Sequence, residues 1–185
     1  MIKKFVLLTF IGVFTFACVD FNREQLLQKV AKMDQQLLDL EGKIKDERMN
    51  DVSAIKLKTM QTELRIKQNL HLDTIDMALA KKLDAYKVMR RSIKPMLQQY
   101  LKVREGIKEE KRVLKQLHKD IKEGRGARNR YAEYIRFERR KVSQLGALTT
   151  EYLRTKEQFF KDYARLYPPI EAFSRTLLQK KQNRQ

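Results

Sequence analysis

The chain has 185 residues, with 41 Lys and Arg against 23 Asp and Glu, for a formal charge of +18. Charged residues make up 35% of it, with only 6 Gly, 3 Pro and no Trp, which excludes a turn-rich β-fold and calls for long helices. Cys18 stands alone, which excludes an intramolecular disulfide and a thiolate metal cluster.

The first element is apolar. Met1–Cys18 reads MIKKFVLLTFIGVFTFAC: two lysines, an unbroken apolar run from Phe5 to about Phe16, then the small residue Ala17 before the cysteine. That is the order of a secretory signal, and the run is shorter than the roughly 20 apolar residues a membrane-spanning helix needs. On Thr15-Phe16-Ala17-Cys18 the segment resembles a bacterial lipoprotein signal. The resemblance implies that residues 1–17 are removed and that Cys18 becomes the first mature residue and carries the lipid, with residues 18–22 as a tether. Thr15 stands where that family usually has Leu, and Phe16 is bulkier than its usual residue. Thr15-x-Ala17 also fits ordinary signal-peptidase cleavage, which would release a soluble periplasmic or secreted protein.

From Arg23 the chain reads as one helical domain, 23–185. Leu26, Val30, Met33, Leu37, Leu40 and Ile44 recur at alternating spacings of four and three, the narrow seam of a coiled coil. The seam lapses near Arg48–Ser53, where Asn50, Asp51 or Ser53 is placed to cap a second helix. A longer seam follows: Leu72, Ile75, Leu79, Leu83, Tyr86, Met89, Ile93, Met96, Tyr100, Val103, Ile107, Leu114, Leu117 and Ile121, with Glu110 as the exception. The phase holds across Pro95, so a kink is expected there, not a reversal. Gly124 and Gly126 directly after the seam mark a helix end and a turn. A further helix is expected from about Ala127 to Leu166, with Ile135, Val142, Leu145, Tyr152, Phe159, Tyr163 and Leu166 on one side. Pro168-Pro169 is expected to end it, leaving a short last helix over 169–180 and a polar tail. The fold class is therefore all-α: a long antiparallel hairpin or coiled-coil bundle of three or so helices, its tip at 124–126, with a short C-terminal helix.

No pattern in the sequence points to catalysis, a cofactor or a metal. His71 and His118 have no ligand partner at helical spacing. Gly124-x-Gly126 lacks the lysine and the preceding strand of a phosphate loop, and Ser143 has no glycine elbow. The segment richest in recognition chemistry is 125–141, where Arg125, Arg128, Arg130, Arg136, Arg139, Arg140 and Lys141 interleave with Tyr131, Tyr134 and Phe137. Guanidinium groups take carboxylate or phosphate bidentately, so this is the candidate surface for an anionic partner. The same pattern also suits an amphipathic helix with aromatics inward and arginines solvated. Lys87-Val88-Met89-Arg90-Arg91 forms a second basic cluster.

Three functions compete on these residues. The first is a non-enzymatic, membrane-tethered scaffold or adaptor of the bacterial cell envelope, attached through lipidated Cys18 and acting on an envelope protein, with homo-oligomerisation through the seams as an option. The second is a periplasmic holdase, similar in broad terms to the basic, helical chaperones of the Skp type, whose trimerising β-strand segments have no counterpart here. The third is a surface lipoprotein that captures anionic molecules on its basic face. An exported chain does not meet nucleic acid, which makes that partner the least expected.

Overall fold

A computed structural model describes the backbone of residues 2–70 and 76–183 and the side chains of residues 22–70 and 76–183. The expectations for the Cys18 side chain, for residues 1–17 as a signal and for His71, Leu72 and Ile75 lie outside those described residues. The fold is all-α. Among the described residues there are four α-helices and no strand: α1 (Ile2–Ile44), α2 (Val52–Asn69), α3 (Met77–Glu123) and α4 (Tyr131–Gln182). Two short 3-10 segments, Glu47–Asp51 and Arg128–Arg130, precede α2 and α4.

The seams read from the sequence are the buried faces. In α1, Leu26, Val30, Met33, Leu37 and Ile44 are buried; α3 buries Tyr86, Met89, Ile93, Met96, Val103, Ile107, Leu114, Leu117 and Ile121. Pro95 lies inside α3 with its side chain exposed, and the buried positions keep one phase on both sides of it. The break after α1 is set by Asp46, an extended residue (φ −153°, ψ 116°) whose carboxylate accepts the Arg48 N–H at 3.0 Å. This corrects the capping expectation: Asp51 directly precedes α2 but makes no side-chain cap bond.

The end of α3 is a Schellman motif. Gly124 and Gly126 take φ of 66° and 77°, the Arg125 N–H donates to the Asp120 carbonyl at 2.9 Å, and the Gly124 N–H donates to Ile121 at 3.3 Å. Tyr131 then buries its ring with its hydroxyl 2.9 Å from the Asp120 carbonyl and 2.5 Å from that of Arg125, which pins the first residue of α4 to the turn.

The expected stop at Pro168-Pro169 is overturned. α4 runs unbroken to Gln182 with both prolines inside it, so there is no separate last helix. The two rings face solvent while Leu166, Ile170 and Ser174 continue the buried stripe. Side-chain bonds from α2 then hold the segment beyond: Thr62 and Arg65 bond to Glu171, and Arg65 reaches Ser174 at 3.3 Å. Loss of two backbone bonds is a local cost, and these tertiary contacts offset it.

The chain divides into two compact units, Met1–Lys43 with Arg104–Ala147, and Ile44–Val103 with Leu148–Gln185. In the first, α1 packs on the end of α3 and the start of α4. Lys111 meets Glu41 at 2.9 Å, and Gly106 lies against Leu145. In the second, the partners change to α2, the start of α3 and the end of α4. The Tyr86 hydroxyl donates to the Thr59 carbonyl at 3.0 Å, and the Tyr100 and Tyr152 rings lie 5.7 Å apart. Arg48 pairs with Glu157 and Thr62 with Glu171, a constant offset that makes α2 and its 3-10 lead-in parallel to α4 within this unit.

Two mid-helix glycines have opposite roles. A Cβ on Gly106 would sit 2.6 Å from Leu145 Cδ2, whereas one on Gly146 meets nothing within 4 Å. Gly146→Ala is therefore expected to raise stability by about 0.5–1 kcal/mol through helix propensity. Gly106→Leu is expected to lower it by roughly 1–3 kcal/mol through overpacking. Urea midpoints of the two variants check both signs.

Candidate functional site

The basic segment 125–141 is split by the fold into three environments. At the turn, each arginine has an internal partner. Arg125 pairs with Glu123 at 2.7 Å, and Arg128 donates from Nε to the Gly124 carbonyl at 2.6 Å. Arg130 meets Glu133 at 3.0 Å and 3.3 Å and lies over the Tyr134 ring at 5.3 Å. All three are exposed. Such solvated pairs contribute little each, so a multivalent anion can recruit these guanidiniums at small cost.

One turn further along α4, Arg136, Arg139 and Arg140 are all exposed, and spacings of three and four put them on one stripe. Phe137, 51% exposed, stands beside them with the Arg140 guanidinium 5.9 Å from its ring centre. The two aromatics nearer the turn do turn inward, Tyr131 fully and Tyr134 in part, so the amphipathic reading holds for them and fails for Phe137. Arg139 also walls an open groove of about 460 Å³ against Gln36, Asp39, Leu40 and Lys43 of α1.

Lys141 is only half-buried and turns its ammonium toward α3. Its ammonium sits between two carboxylates, 2.6 Å from Glu110 and 2.8 Å from Glu138. Glu110 is 2% exposed and one of its oxygens has no hydrogen-bond partner. Burial first, then the neighbouring Glu138 carboxyl, pushes Glu110 up to about 7 against the pull of Lys141. Burial works against the charge on Lys141, but its bonds to Glu110 and Glu138 outweigh this and hold it above its ordinary value. Lys141 therefore belongs to the packing of α3 on α4.

Comparison with known proteins finds no family model, no curated protein and no solved structure that matches this chain. The site rests on its own geometry.

That geometry includes a basic stripe of which the sequence reading names only His118. On α3, Arg104, Lys108, Lys111, Lys115, His118 and Lys122 follow each other at alternating spacings of four and three, directly beside the buried positions. Lys111, Arg112, Lys115 and His118 rim an open groove of about 650 Å³ whose floor is Val30, Ala31 and Leu114, with Asp34 at its edge. The signal was present: the same four–three spacing that revealed the apolar seam also describes this stripe, displaced by one position. The second basic cluster divides too. Met89 is buried and Arg90 pairs with Glu63, while Lys87 and Arg91 are exposed.

The fold also contains a buried cation. Lys156, in the apolar stripe of α4, has a side chain only 5% exposed and an ammonium 2.7 Å from the Asp46 carboxylate. Bonds from the Arg48 side chain and backbone, and the one from Lys156, hold Asp46 well below the usual carboxylate range, although burial opposes them. The arrangement joins the start of the 3-10 segment to α4.

Proposed function

We propose that this chain is a non-enzymatic lipoprotein of the bacterial cell envelope, tethered through acylated Cys18, that acts as a scaffold or adaptor for a partner with an acidic surface. The observation that carries the reading is the order of Met1–Cys18: lysines, an apolar run, Ala17, then the sole cysteine. The body supports it in two ways. Buried positions at a seven-residue period suit long coiled-coil packing, which extends a binding surface away from an anchor. The exposed guanidiniums of Arg136, Arg139 and Arg140 lie on one stripe and suit bidentate recognition of carboxylates.

Intact mass of the protein purified from its own membranes tests the tether. The expected mass lacks residues 1–17 and carries acyl chains, and a Cys18→Ser variant loses both changes. Photo-crosslinking from Arg139 in cells is then expected to capture an envelope protein. An unmodified mature cysteine, or an intact Met1, would remove the tether from this reading, and an empty crosslink would remove the scaffold.

A further inference from the structure

α2 carries apolar side chains on two opposite faces, and only one of them is used. Its buried face is Val52, Ile55, Thr59, Thr62 and Ile66, so two of the five innermost positions are threonines. Their hydroxyls are satisfied, Thr59 by the Lys56 carbonyl at 2.9 Å and Thr62 by Glu171. The opposite face holds three large apolar side chains. Leu57 is 57% exposed, Met60 46% and Leu64 54%. Single exposed apolar residues need no explanation. Three at i, i+3 and i+7 on one helix form a continuous stripe, which an amphipathic helix shows where a second apolar phase awaits it.

The chemistry beside the stripe identifies that phase. Lys56 and Lys67 lie along one edge, both exposed, Lys67 beside Glu63 at 2.9 Å, and the exposed Gln61 and Gln68 lie along the other. Long cationic side chains that flank an apolar stripe cover the boundary between hydrocarbon and phosphate, with their stems in the apolar layer and their ammonium groups among anions. A second copy of this chain is a poor occupant. The stripe is a patch on the order of a few hundred Å², against roughly 800 Å² per partner in a stable protein interface, and the lysine rims would repel each other. With a total charge of +18, the chain is drawn to an anionic surface before any insertion.

We propose that the outer face of α2 is a lipid-contacting surface: Leu57, Met60 and Leu64 enter the headgroup–acyl boundary of an anionic bilayer while Lys56 and Lys67 engage its phosphates. Among the described residues no helix is long and apolar enough to cross a membrane, so this contact lies in the interface plane. It does not depend on acylation of Cys18.

The test uses the full chain with Cys18→Ser, so that failure of this surface and failure of the tether are separate results. An environment-sensitive fluorophore is placed at Met60→Cys, and in a control chain at Ala172→Cys, an exposed position on α4. With phosphatidylglycerol vesicles, the emission at position 60 is expected to shift to the blue and to be quenched by doxyl-labelled lipids. The probe at 172 stays solvent-like, and phosphatidylcholine vesicles leave both unchanged. Leu57→Ser with Leu64→Ser, substitutions at exposed positions that leave the helical circular dichroism intact, is expected to reduce the quenched fraction about tenfold or more. Vesicle binding with an unshifted probe at 60 would place the contact elsewhere and overturn the proposal. A blue shift that grows with protein concentration in the absence of lipid would overturn it in favour of self-association.

Discussion

Replacing Asp46 with alanine is expected to lower the stability of the chain by about 3–5 kcal/mol at neutral pH, while Lys156→Met is expected to cost no more than about 1.5 kcal/mol. The asymmetry follows from what each change leaves behind. Without Asp46, the Lys156 ammonium remains in the α4 stripe with a side chain 5% exposed, and the nearest remaining carboxylate is Glu157 at 3.9 Å, itself about half exposed. A buried unpaired ammonium either stays charged at high cost or gives up its proton, and both routes destabilise the fold. The same substitution removes the cap on the Arg48 N–H and three side-chain contacts to the Arg48 guanidinium. Lys156→Met, in contrast, keeps an unbranched stem in the stripe and leaves Asp46 bonded to Arg48. The pH dependence gives a second readout. Asp46 in the folded chain lies below its ordinary value of 3.8, so its contribution is present above about pH 4 and is lost as the pH falls further. The difference between wild type and Asp46→Ala should therefore shrink in acid. Denaturant midpoints at pH 7 and pH 3, with unchanged m-values, decide it. Equal costs for the two substitutions would refute the buried-pair account.

This pair also shows where sequence reading stops. Apolar periodicity located α1, carried α3 through Pro95 and placed the reversal at Gly124–Gly126, because those signals are local. A seam built only from apolar residues skips Glu110, Glu138, Thr149 and Lys156, all of which are buried. Each occupies a position the four–three spacing calls for, and in an apolar pattern Glu110 registers only as an interruption. Nothing nearby in the sequence says that Lys156 is paired with Asp46 or Glu110 with Lys141, since Asp46 lies in the link after α1 and Lys141 on α4. The same limit explains Pro168-Pro169: the helix-stop rule counts lost backbone bonds, while the bonds from Thr62 and Arg65 that hold the next turns come from α2. In the basic segment, composition singled out Arg136, Arg139 and Arg140, which do share an exposed stripe, and could not tell Lys141 from them.

Glu110→Leu is expected to stabilise the chain by about 1–3 kcal/mol at pH 8 and to leave it nearly unchanged near pH 4.5. Glu110 keeps its proton up to about 7 in the folded chain, against an ordinary value of 4.5, chiefly because burial penalises the carboxylate. An acid whose folded value is raised binds more protons folded than unfolded between those two pH values. Wild-type stability from this group therefore falls as the pH rises from about 4.5 to 7 and levels off above. Leucine at position 110 continues the stripe between Ile107 and Leu114, and the Lys141 ammonium still has Glu138 at 2.8 Å. Lys141→Ala should act in the opposite direction at pH 8, with a loss of roughly 2 kcal/mol or more, since Glu110 and Glu138 then face each other without a cation. The quantity to follow is the difference between Glu110→Leu and wild type across pH 4.5–8, in which contributions common to both chains cancel. A difference that widens with pH fits a carboxyl group forced to ionise inside the α3–α4 packing. A flat difference, or a leucine variant weaker at pH 8, would mean that Lys141 fully compensates the buried charge and that the ion triad stabilises the fold.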